Sequence, residues 1–135
     1  MESPVRELRV AVTIEDYDTA LRFYRDALGL PVVQSWDDGE GRSGAILDAG
    51  RATLELLSVA QTELVDEVEV GRRGVSGQVR LALEVEDSAV TATALADAGA
   101  EFLGDPVVTP WGHRNARLRA PDGLQLTLFT LPPLG

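Results

Sequence analysis

Residues 8–16, LRVAVTIED, and residues 79–87, VRLALEVED, carry one pattern twice at an offset of 71, setting Arg9 against Arg80, Ala11 against Ala82, Glu15 against Glu86 and Asp16 against Asp87. The match continues at the same offset with Ala45, Leu47 and Ala49 against Ala116, Leu118 and Ala120. One residue out of phase, Leu54 and Leu56 fall on Leu126 and Leu128. Two copies of one supersecondary unit are expected. Two half-units that each hide one sheet face can enclose a cleft between their other faces, where ligands are usually found.

Within each copy the element order can be read from periodicity. Val10, Val12 and Ile14 alternate with Arg9, Ala11 and Thr13, the period of a half-buried strand over about 6–14. Asp16 is the expected N-cap for a helix whose apolar stripe is Tyr17, Ala20, Leu21, Tyr24 and Leu28, closed by Gly29 with Pro31 beyond it. Strands are expected near 31–36, 43–48 and 52–58, with 37–41 (DDGEG) as a hairpin loop. In the second copy Leu81, Leu83 and Val85 are the expected buried face of a strand. An Ala-rich helix capped by Asp87 or Ser88 ends at Gly99, and strands follow near 101–103, 115–119 and 124–130. The organisation is a single α+β domain over 5–131, with module one at 5–58, a connection at 59–77 and module two at 78–131. The acidic run 63–70 (ELVDEVEV) in the connection reads as a solvated face.

Composition removes several functional classes. At 135 residues and 44% hydrophobic content the chain suits one domain. No cysteine is present, which excludes disulfides, thiol catalysis and thiolate metal sites. A net charge of −10, with the arginines scattered, argues against nucleic acid. No apolar run reaches about 18 residues and no signal-peptide pattern opens the chain, so a cytoplasmic protein without a membrane contact is expected. The Gly71–Gly77 segment lacks the strand, helix and Lys context of a phosphate loop, and no Gly-x-Ser-x-Gly elbow occurs.

Residues 16–30 (DYDTALRFYRDALGL), 111–113 (WGH) and 120–126 (APDGLQL) together resemble the vicinal oxygen chelate superfamily, which includes glyoxalase I, extradiol dioxygenases and bleomycin-resistance proteins. The resemblance spans about residues 5–131. It implies two βαβββ modules forming a half-barrel cleft, the glyoxalase/bleomycin-resistance fold. It names no reaction, because the family's activities run from isomerisation to antibiotic sequestration. In its metalloenzymes a divalent ion is held from the first and last strands of each module. Strand parity places Arg9, Arg80, Glu55 and Thr127 at the matching positions. One carboxylate beside two guanidiniums is a poor donor set for zinc, magnesium or manganese, so neither a metal nor another cofactor is expected.

Those positions keep a different chemistry. Guanidiniums can hold a carboxylate or phenolate and stack on aromatic rings, although Arg9, Glu55 and Arg80 could equally neutralise one another. Trp36 and Trp111 flank loops, Phe129 shares the parity of Thr127, and Gln125 and the lone His113 offer polar contacts. Tyr17, Phe23 and Tyr24 read as core or interface. Two functions remain open. One is metal-free binding of an aromatic small molecule or antibiotic by a homodimer, using Arg9, Trp36, Glu55, Arg80, Trp111, His113, Gln125, Thr127 and Phe129. The other is a metal-independent enzyme in which Glu55 or His113 moves a proton. Whether the modules pair within one chain or across two also stays open.

Overall fold

A computed structural model describes residues 3–133. Module one comprises β1 (Glu7–Ile14), α1 (Tyr17–Arg22) continued by a π-helical segment (Phe23–Ala27), β2 (Val32–Asp37), β3 (Ser43–Asp48) and β4 (Thr53–Ser58). After α2 (Val59–Val70), module two supplies β5 (Val79–Glu84), α3 (Ser88–Asp97), β6 (Glu101–Phe102), β7 (Val107–Val108), β8 (Arg114–Arg119) and β9 (Gln125–Thr130). The fold keeps the duplication: β3 and β8 begin 71 residues apart, and β4 and β9 begin 72 apart.

All strands join one mixed sheet in the order β2-β3-β4-β1-β5-β9-β8-β6, with β7 also on β8. The modules meet within the chain through antiparallel pairing of β1 with β5, where Ala11 faces Arg80 and Arg9 faces Ala82. Each module then adds its last strand parallel to its first, β4 on β1 and β9 on β5.

Equivalent residues of the two copies build equivalent cores. Ala45, Leu47 and Leu56 lie under Tyr17, Leu21 and Tyr24 of the first helical segment. Ala116, Leu118 and Leu128 lie with Ala92 and Leu95 of α3. Asp16 caps α1 by accepting from the Thr19 amide at 3.2 Å, and Gly29 takes the left-handed conformation at φ 85° that a side chain disfavours. Phe23, read as core or interface, is not in the core: it is exposed, edge-on to Tyr24.

Two expectations are corrected. The connection, whose acidic run reads as a solvated face, opens with the 12-residue helix α2, capped by the Ser58 hydroxyl on the Gln61 amide and closed by Gly71 at φ 82°. Its Gln61, Thr62, Val65, Asp66 and Glu69 are buried, so the acidic run turns two of its carboxylates inward. β5 is covered on both faces rather than one: Leu83, with Val85 just beyond the strand, packs on the α3 side as expected, while Arg80 and Ala82 on the opposite face are buried more deeply still. Both corrections have one cause. α2 packs across the sheet face opposite α1 and α3, touching β1, β3, β4 and β8, so that face is enclosed as well.

Candidate functional site

Side chains of alternate residues on β1, β3, β4, β5, β8 and β9 project toward α2. On module two's side this space is filled by an ionic network. Arg117 of β8 is completely buried, and its Nη1 donates to Asp66 Oδ1 at 3.0 Å and to Gln125 Oε1 at 3.0 Å. Its Nε donates to Glu69 Oε1 at 3.0 Å, and its Nη2 lies 2.9 Å from the same oxygen. Glu69 also accepts from the Asn115 amide at 2.8 Å and the Thr127 hydroxyl at 3.0 Å. Asp66 accepts the backbone amides of Val75 and Ser76, which fixes the end of the inter-module connection. Two carboxylates from one helix around one guanidinium meet the requirement that buried charges be paired and hydrogen-bonded.

Beside this network, between the two modules, the same face opens into a cavity of about 680 Å³. Its apolar walls come from Ile46, Leu57, Leu64 and Ala82, with Trp36, Trp111 and Phe129 as aromatic surfaces. Trp36 is seated by Gly44 on the paired strand: a Cβ there would lie 2.1 Å from the indole. That close approach explains the glycine. Trp111 stays 41% exposed at the mouth, while the His113 ring stacks on Phe129 at 5.7 Å between centroids. The Arg9 guanidinium lies 4.6 Å from the Phe129 centroid and pairs with Glu7 at 3.1 Å.

Eight of the nine residues singled out in the sequence line this cavity: Arg9, Trp36, Glu55, Arg80, Trp111, His113, Thr127 and Phe129. Gln125 does not. Its amide is spent on Arg117 and on the Val75 carbonyl at 2.6 Å, bracing the end of the inter-module connection rather than facing the cavity. Thr127 lines the wall, but its hydroxyl is already bonded to Arg80, Arg117 and Glu69. Sequence reasoning missed Asp66, Glu69, Asn115 and Arg117. Their signal was a set of charged or polar residues at inward-facing strand positions and at helical spacing in the connection.

Mutual neutralisation of Arg9, Glu55 and Arg80 is not what forms. Arg9 turns to Glu7, and Arg80 donates Nη1 to Thr127 at 2.8 Å. Glu55 holds no hydrogen bond or ion pair among the described residues. Burial pushes the Glu55 carboxyl above its ordinary value, against the pull of Arg80 and Arg9. Burial, then the Arg9 charge, pushes His113 below its ordinary value, so the imidazole is neutral at pH 7. Burial also lowers Arg80.

The donor set does not fit a divalent ion. Among the four strand positions only Glu55 is a ligand type, and no three His, Cys, Asp or Glu side chains converge among the described residues.

The raised Glu55 value has a consequence for stability. Between the ordinary 4.5 and the raised value the folded chain keeps a proton that the unfolded chain releases, so this group costs stability as pH rises through that window. Glu55→Gln is therefore expected to raise the urea midpoint at pH 8 and to change it little at pH 4. An equal or lower midpoint at pH 8 would show that attraction to Arg80 outweighs desolvation.

The chain belongs to the Glyoxalase/Bleomycin resistance protein/Dioxygenase superfamily, which matches residues 8–128. It is 31% identical over 127 residues to the uncharacterized protein YraH of Bacillus subtilis (strain 168), covering 92% of this chain and 97% of that protein. Among solved structures it is similar to methylmalonyl-CoA epimerase from Mycobacterium tuberculosis, with a TM-score of 0.68 at 19% identity over 98% of this chain and 93% of that one. It is also similar to hypothetical protein BH1468 from Bacillus halodurans C-125, with a TM-score of 0.68 at 18% identity over 94% of each chain. These two structural likenesses establish the fold alone. No helix among the described residues is long and apolar enough to cross a membrane.

Proposed function

We propose that this chain is a metal-independent binding protein that holds an aromatic small molecule in the cavity between its modules, in the manner of the bleomycin-resistance branch of its superfamily. The observation that carries this reading is the exchange at the four strand positions. Three of them bear Arg9, Arg80 and Thr127 instead of ligand types, while Trp36, Trp111 and Phe129 supply π-faces around about 680 Å³. That volume suits a ligand of drug-like size, and aromatic contacts add about 0.5–1.5 kcal/mol each beyond area burial. A homodimer is part of this reading, with each chain lining a cavity from residues of both its modules. Residence in the cytoplasm is part of the same proposal.

A second reading is favoured by Glu55. A desolvated carboxyl without a partner, in the same cavity as a neutral His113, has the character of a proton-transfer pair for a carbonyl substrate. The two readings separate when the protein is equilibrated with the small-molecule fraction of a microbial extract and the retained species are weighed by mass spectrometry. Retention of an aromatic compound of unchanged mass supports binding. Time-dependent conversion that Glu55→Gln abolishes supports the enzyme, and retention of nothing contradicts both. For 2-naphthol as a model aromatic ligand, Trp111→Ala is expected to weaken binding about 5- to 10-fold by calorimetry. Unchanged affinity would remove Trp111 from the site.

A further inference from the structure

The cavity floor holds two opposite charges that do not meet. Ala11 of β1 is in register with Glu55 of β4 on one side and with Arg80 of β5 on the other. Glu55 and Arg80 therefore stand two strands apart on one face, with backbones about 10 Å apart and only the Ala11 methyl between their bases. Both line the cavity. Arg80 is 5% exposed, and its single hydrogen bond among the described residues is Nη1 to Thr127, leaving Nε and Nη2 without partners. Glu55 accepts none. Every other guanidinium lining this space is committed, Arg9 to Glu7 and Arg42 to Asp38 and Glu40.

These unpaired atoms open onto the cavity, so a ligand that filled it without pairing them would strip them of water at a cost, and one that satisfies both groups gains more than one that satisfies either. An anionic head group on Arg80 would sit beside the Glu55 carboxylate, and a cationic one on Glu55 would sit beside the Arg80 guanidinium. A neutral group with an acceptor and a donor side by side meets neither conflict: its C=O accepts from Arg80 while its N–H or O–H donates to Glu55. The geometry points to such an edge, a carboxamide, a lactam or a hydroxyl beside a carbonyl, as the head group this cavity reads over Ala11, with the aromatic body against Trp36, Trp111 and Phe129. This inference rests on the aromatic-ligand reading above and names the ligand class within it.

Four probes with one aromatic body test it by calorimetry at pH 7: 2-naphthamide, N,N-dimethyl-2-naphthamide, 2-naphthoate and 2-naphthylmethylammonium. The primary amide is expected to bind at least about tenfold tighter than each of the others, and Glu55→Leu is expected to erase its advantage over the dimethylamide. Equal or tighter binding of the carboxylate or the ammonium, or equal binding of the two amides to the unaltered protein, would overturn the head-group assignment and leave the aromatic cavity standing. No saturable binding of any probe would overturn both. The four-probe series on the unaltered protein decides the question even if Glu55→Leu does not fold.

Discussion

Replacing Arg117 by methionine is expected to lower the free energy of unfolding by about 3–5 kcal/mol, a large share of what a domain of this size possesses. Arg117 is completely buried and, among the described residues, is the only cation within ion-pair distance of Asp66 and Glu69, so its loss leaves two buried carboxylates of α2 without a counter-charge. Urea unfolding followed by circular dichroism measures the loss. Adding Asp66→Asn and Glu69→Gln to Arg117→Met is expected to recover more than half of it, because the penalty lies in the uncompensated charges rather than in the missing side chain. A loss below about 1 kcal/mol, or no recovery in the triple variant, would mean that the network does not fasten α2 to the sheet.

Gly104→Ala is the second large effect. A Cβ at Gly104 would lie 2.5 Å from the Glu69 carbonyl oxygen and 3.1 Å from the Val70 Cα, both backbone atoms of α2 that no rotamer change can move. Either the 103–106 loop or the end of α2 must shift, at a cost of about 1–3 kcal/mol. Gly77→Ala is the control, because its Cβ would meet nothing within 4 Å and its backbone is not in the left-handed region. That change is expected to be neutral or slightly stabilising through the unfolded chain. Matched urea midpoints for the two alanine variants would contradict the close packing of the loop on α2.

Both predictions concern the segment that the sequence disclosed least. The duplicated strands were legible because their apolar alternation recurs at a fixed offset, and the structure keeps even the one-residue phase change between β3–β8 and β4–β9. The first helix was legible from Tyr17, Leu21 and Tyr24, which do pack on Leu47 and Leu56. α2 was not, because its buried residues Gln61, Thr62, Val65, Asp66 and Glu69 follow the helical period with mostly polar side chains. An apolar-stripe criterion cannot see such a helix, although Ser58 and Gly71 marked its two ends. The inward carboxylates were hidden for the same reason: a charge run ordinarily faces water, and only the buried Arg117 across the sheet reverses that.

The candidate site was more legible than the helix that walls it. Strand parity alone put Arg9, Glu55, Arg80, Thr127 and Phe129 on one face, and the register of β4-β1-β5-β9 keeps them there. Parity could not show which charges had partners. The Arg9–Glu7 pair runs along a strand and the Arg117 network depends on α2, so the isolation of Glu55 emerges only in three dimensions.

The central claim is that one hollow shared by the two modules takes an aromatic guest. Because the chain has two tryptophans, one from each module and both lining that hollow, the indole N–H resonances of Trp36 and Trp111 test it directly during titration of ¹⁵N-labelled protein with 2-naphthol. Both signals should move along a single saturable curve at one ligand per chain. Two unmoved signals, or shifts that follow separate curves, would contradict it.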